Sequence, residues 1–163
     1  MVLLFCLPAA ADETKWRVAK PSDDLAILVI SDTDEANDAF DSFYFQCRTG
    51  SGLVSVIETN MKDKKLRTAI ANLLINDSYP IVDLDPGPGR SVLGEITSYD
   101  SGGWGYRFQV RPDDAAFNAF KTTGYFNFKI GDAVVHTGIE AGLRNIAEFQ
   151  SMCRKQPKNG GSK

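Results

Sequence analysis

Histidine is almost missing from this 163-residue chain, cysteine is scarce, and positive charge is outweighed. With His136 as the single histidine, any Ser-His-Asp or Cys-His catalytic system would have to pass through that one residue. His136 falls in a strand-like segment and reads first as a surface or packed strand residue. One histidine and no cysteine cluster also exclude the usual structural zinc sets. No interior segment approaches the roughly 20 apolar residues of a membrane-spanning helix. A net charge of -3 argues against a general nucleic-acid binder, which needs a basic face to displace counterions from phosphate.

What is present begins with a leader. Met1 to Leu7 (MVLLFCL) is apolar, Pro8 interrupts it, and Ala9 and Ala11 supply the small side chains a signal peptidase requires. Residues 1–11 are therefore expected to be a signal peptide, short and without the usual basic n-region, as a start placed too late would leave it. Phe5 ahead of Cys6 disfavours lipoprotein processing there. Removal of the leader removes Cys6 and leaves Cys47 and Cys153, an even pair in a chain bound for an oxidising compartment. A disulfide between them is the favoured reading, and two buried free thiols are the alternative. A disulfide would also consume both candidate thiol nucleophiles.

The remainder is one domain, residues 12–153, followed by a disordered basic tail over 154–163 (RKQPKNGGSK). Apolar alternation predicts strands over Lys15–Lys20 and Leu25–Ile30, then a hairpin over Phe43–Glu58 turning at Thr49-Gly50-Ser51-Gly52. Leu66, Ile70, Leu73 and Leu74 recur at helical spacing, with Asn60 as the expected cap. Further strands are expected over Tyr79–Leu84, Val92–Tyr99 and Tyr106–Val110. A short helix over Asp113–Thr122 should stop near Gly124. Tyr125–Ile130 and Ala133–His136 flank a Gly131-Asp132 turn, and Ile139, Leu143, Ile146, Ala147 and Gln150 or Cys153 recur at the spacing of a final helix. The fold class is α+β: a mostly antiparallel sheet, sandwich-like or curved, with a central helix and a C-terminal helix clamped by one disulfide.

Several constellations could carry chemistry. Asp32, Asp34, Glu35, Asp38 and Asp41 crowd one segment, but Ala36 and the missing central glycine break the calcium-loop pattern, so a solvated acidic loop is expected and no metal site. Gly87-Pro88-Gly89-Arg90 lacks the strand-to-helix context of a phosphate cradle, and no cofactor fingerprint appears elsewhere. Asp83, Asp85 and Glu95 are the carboxylates that a glycan-cleaving enzyme would use. Trp104 and Tyr106 lie among Gly102, Gly103 and Gly105. They are the candidate ligand or partner contacts, or else hairpin aromatics folded back over the sheet.

Three stretches, KWRVAK, FYFQCRTGSGLVSVI and VVHTGIEAGLRNIAEFQSMC, carrying Trp16, Cys47, Gly142-Leu143 and Cys153, resemble small secreted proteobacterial proteins of the VasI/TagO-like group associated with type VI secretion. The resemblance covers both ends of the chain. It implies a periplasmic or secreted envelope accessory protein without enzymatic activity, whose partner is another envelope protein or a glycan. The alternatives are a cell-wall or glycan-acting enzyme using the carboxylates above, and a secreted effector facing a host.

Overall fold

The computed structural model describes residues 13–33, 43–76, 81–87, 90–92, 95–98 and 104–154. The expected leader, most of the acidic segment, the centre of the PGPG loop and the tail beyond Arg154 lie outside the described residues. Arg154, the last described residue, donates its Nε to Asp113 Oδ1 at 2.8 Å. None of the described helices is long and apolar enough to cross a membrane.

Two antiparallel sheets pack face to face. Strands β1 (Lys15–Ser22), β2 (Leu25–Ser31), β3 (Phe43–Arg48), β4 (Val54–Glu58), β8 (Trp104–Val110) and β7 (Glu95–Ser98) form one sheet in that order. The second runs β10 (Ala133–Gly138), β9 (Tyr125–Ile130), β5 (Ile81–Asp85), β6 (Arg90–Val92). Helix α1 (Lys64–Ile75) lies on β9 and β10, α2 (Ala115–Thr123) on β9, and α3 (Leu143–Cys153) against β1, β2 and α2.

Alternation decides which residues meet between the layers. Phe43 and Phe45 of β3 and Phe126 and Phe128 of β9 are buried at alternate positions of their strands. Phe43 stacks on Phe128 and Phe45 meets Phe126 edge-on at 5.2 Å. Phe117 and Phe120 of α2 and Phe149 of α3 close the same cluster around Phe45. Aromatic pairs in these tilted and edge-on geometries each add about 0.5–1.5 kcal/mol beyond the area they bury.

Two corrections concern boundaries. The helix expected from Asn60 is capped instead by Asp63, whose Oδ1 accepts from the backbone N of Lys65 at 2.7 Å and of Leu66 at 3.2 Å. Starting there, α1 buries Leu66 and Ile70 and leaves Leu74 out in solvent. The single strand expected over Val92–Tyr99 is divided: β6 pairs with β5 in one sheet and β7 with β8 in the other. The chain changes layer between Val92 and Glu95.

The expected clamp is formed. Cys47 and Cys153 are disulfide-bonded across a separation of 106 residues, with their Cα atoms 5.7 Å apart. The turn after β3 reinforces it, because Gly50 N donates to Met152 O at 2.7 Å and Gly52 N to Cys153 O at 2.8 Å. These bonds occupy carbonyls that the end of α3 cannot pair within itself. Both glycines hold positive φ, near 71° and 76°, a conformation other residues adopt only at a cost.

Two stability predictions follow from this corner. Replacing Cys47 and Cys153 together with alanine should lower stability by up to about 4.7 kcal/mol, the chain-entropy figure for a loop of about 100 residues. Urea denaturation of the two proteins side by side measures it, and an unchanged midpoint would show that the bond adds nothing. Gly142→Ala should cost about 2–3 kcal/mol. Gly142 sits at φ 85°, and a Cβ there would meet the Trp16 backbone oxygen at 2.5 Å. Thermal denaturation gives the answer, and a Tm equal to the parent's would contradict the close approach.

Candidate functional site

The two aromatic candidates separate on folding. Tyr106 is 2% exposed and packs against Phe108 and Phe128 between the sheets, while Trp104 is half-buried against the same core. Of the two readings of these aromatics, contact residues or rings folded back over the sheet, Tyr106 takes the second: strand alternation places Trp104, Tyr106, Phe108 and Val110 on one face of β8, and that face is the interior. Their glycine-rich surroundings carry less weight than this period.

Tyr106 nevertheless has an unusual environment. Its hydroxyl is fully buried and makes no hydrogen bond of good geometry. Its cross-strand neighbour is Glu58 on β4, close enough for the two to interact electrostatically. Burial pushes the Tyr106 phenol well above its ordinary range, with the Glu58 charge adding to the effect. Burial likewise raises the Glu58 carboxyl, and the tyrosine hydroxyl opposes that shift only in part. The phenol is thus held neutral, beside a pocket of about 220 Å³ that Tyr106 and Glu58 help to line.

The carboxylates proposed for glycan cleavage are not assembled by the strands. Asp83 and Asp85 are exposed on the outer side of β5, whereas Glu95 belongs to β7 in the other sheet. Asp32 is exposed, and the other acidic residues of its segment lie outside the described residues. Among the described residues there is no group of three or more His, Cys, Asp or Glu side chains placed to hold a metal ion.

A polar constellation forms instead around the lone histidine. The Gly131-Asp132 turn pairs Ile130 with Ala133, and that register carries His136 opposite Asn127 on the outer face of the hairpin. His136 Nδ1 lies 2.6 Å from Asn127 Oδ1, and its ring stacks on Tyr125 with centroids 4.5 Å apart and planes 13° from parallel. An amide oxygen only accepts, so with that oxygen facing the ring the bond is Nδ1–H donating to Asn127 Oδ1. Tyr125, Asn127 and His136 line a 480 Å³ pocket with Glu140, Leu143 and the two threonines that end α2.

That pocket presents hydrogen-bonding groups but no nucleophile poised for transfer. Thr122 Oγ1 donates to Ala119 O at 2.8 Å and Thr123 Oγ1 to the same carbonyl at 3.1 Å, so both hydroxyls are committed to the helix end. What remains is an exposed imidazole, a partly exposed tyrosine, an amide and the exposed Glu140 carboxylate. In the sequence His136 reads as a plain strand residue, with nothing to pair it with Asn127. The two-residue turn was the available signal, since it fixes which residues of β9 and β10 stand opposite each other.

No protein-family model matches this chain, and no curated protein or solved structure matches it either.

Two measurements check the buried pair. Tyr106→Phe should leave stability unchanged or raise it by up to about 1–3 kcal/mol, the cost of a buried hydroxyl without a partner. A clear loss in Tm would mean the hydroxyl is satisfied. Because burial raises Glu58 in the folded state, its penalty is absent below the unfolded carboxyl's pKa of 4.5 and grows as pH rises towards the folded value. Glu58→Gln should therefore raise Tm at pH 7 and lose that advantage near pH 4; a gain of equal size at both pH values contradicts the assignment.

Proposed function

We propose that this protein is an exported, non-enzymatic binding protein of the bacterial envelope, periplasmic or secreted, whose ligand is a glycan held at the Tyr125–Asn127–His136–Glu140 pocket. The observation that carries the reading is the stacked Tyr125–His136 pair, with the imidazole fixed by Asn127. A flat aromatic slab flanked by an amide, an imidazole ring nitrogen and a carboxylate offers stacking area with both donors and acceptors at its edge. Sugar hydroxyls, each donor and acceptor at once, answer such a mixture. The exposed Glu140 carboxylate favours neutral over anionic rings.

Export is supported by the leader sequence and by a disulfide that closes most of the domain, since such bonds persist in oxidising compartments. The resemblance of both ends of the chain to VasI/TagO-like envelope proteins points the same way. With both body cysteines in that bond and the histidine set against an amide, the binding reading is favoured over a catalytic one.

Titration of isotopically labelled protein with soluble cell-wall glycan fragments, followed by NMR, should move the Tyr125, Asn127 and His136 signals. Tyr125→Ala and His136→Ala should each weaken binding about tenfold or more. Saturable binding that both variants leave intact would remove the pocket from the function. Hydrolysis of the glycan by the parent protein, abolished by Asp83→Asn or Asp85→Asn, would replace the binding reading with the enzymatic one.

A further inference from the structure

A second cavity lies at the other end of the β9–β10 hairpin, where α1 crosses its turn, and it is built for a different ligand. It has a volume of about 520 Å³, inside the range of about 300–1,000 Å³ typical of small-molecule pockets. Its floor is formed by Ala69 and Leu73 of α1 and Ala133 of β10, all buried or half-buried, while Lys64, Lys65 and Asp132 stand exposed at its rim. Gly131 keeps the floor low: a side chain beginning there would come within 3.8 Å of Leu73 Cδ1 and 4.0 Å of Ala69 Cβ.

The charges at the rim are unbalanced. Among the described residues neither Lys64 nor Lys65 forms an ion pair, and Asp132 is the one acidic residue lining the cavity. Both lysines occupy the first turn of α1, which contains no acidic residue, although positive charge is disfavoured at that end of a helix. The first-turn amides of Lys65 and Leu66 are already bonded to Asp63, so the ammonium groups, not the helix end, remain to meet an anion.

We infer that this groove binds a single-chain anionic amphiphile, an acyl chain ending in a carboxylate, with the chain on Ala69, Leu73 and Ala133 and the carboxylate between Lys64 and Lys65. The aliphatic floor suits a hydrocarbon chain better than a peptide, whose main-chain groups would find only the Thr68 and Asn72 side chains as partners there. The Thr68 hydroxyl cannot supply one as a donor, because it already donates to Lys64 O at 2.8 Å. The cavity is also too small to seat a folded partner. This site is independent of the glycan pocket.

The test is calorimetric titration of the full protein with decanoate below its micelle concentration, with decanol as the uncharged probe. Decanoate should bind at a single site and weaken as salt is raised, and decanol should bind about tenfold more weakly. The double variant Lys64→Gln/Lys65→Gln, both positions exposed, should bring decanoate to the affinity of decanol. Ala69→Trp should block both ligands by filling the floor, with circular dichroism reporting that the fold is kept. Absence of decanoate binding to the parent protein overturns the inference. So does decanoate affinity that neither the lysine variant nor salt changes, which also covers the case in which the tryptophan variant fails to fold.

Discussion

The structure depends on how Trp16 is held. The indole is fully buried, its Nε1 donates to Gly124 O at 2.9 Å, its backbone N donates to Ala141 O at 3.1 Å, and its carbonyl accepts from Asn145 Nδ2 at 2.6 Å. One residue of the first strand is thereby bonded to the end of α2, the approach to α3 and α3 itself. The ring also packs edge-on against Phe120 at 5.1 Å and tilted against Phe45 at 5.8 Å. Such closeness is possible only because Gly142 has no side chain where the Trp16 backbone passes.

The disulfide acts on the same corner from the other end of α3. Trp16 locates the start of that helix, and Cys153 with the Gly50 and Gly52 amides locates its last turn. The helix is consequently fixed at both termini to the six-stranded sheet, and Gln150 between them bonds to Pro112 O and Asn118 Oδ1 beside α2. The edge of the fold carrying the Tyr125–His136 pocket is joined to this corner through Glu140 and Leu143, at the start of α3. Helix α1 is different: it buries only Leu66 and Ile70 and touches the hairpin along one flank. That loose seating leaves a groove beside it.

Much of this was legible in the residues. The hairpin over Phe43–Glu58 follows from strict alternation around a glycine-rich turn, and the cysteine pair from parity. The α+β class with a clamped final helix follows from where period two gives way to helical spacing. Three things were harder to read. Val92 to Tyr99 has the length of one strand, and although the Val92-Leu93 pair and Gly94 break its alternation, neither feature says that Val92 and Glu95 belong to different sheets. Asn60 and Asp63 are equally good caps, and the choice between them rests on Met61, which is buried and donates its backbone N to Trp104 O, so that the chain turns into the helix only after it. The sites are less visible still. His136 meets Asn127 only through cross-strand register, and the Lys64–Lys65 groove exists only once α1 has settled over the Gly131 turn.

The strand that carries Trp16 comes early in the chain, and the helix that secures it comes last. A polypeptide that emerges from a ribosome or a membrane pore in order of synthesis exposes β1 long before α3 is available to cover it. Its deepest corner can be completed only when almost the entire chain is free. A partial chain can form the Trp16–Phe45 contact but lacks Phe120, Phe126 and Phe149, the rings that complete the cluster around Phe45.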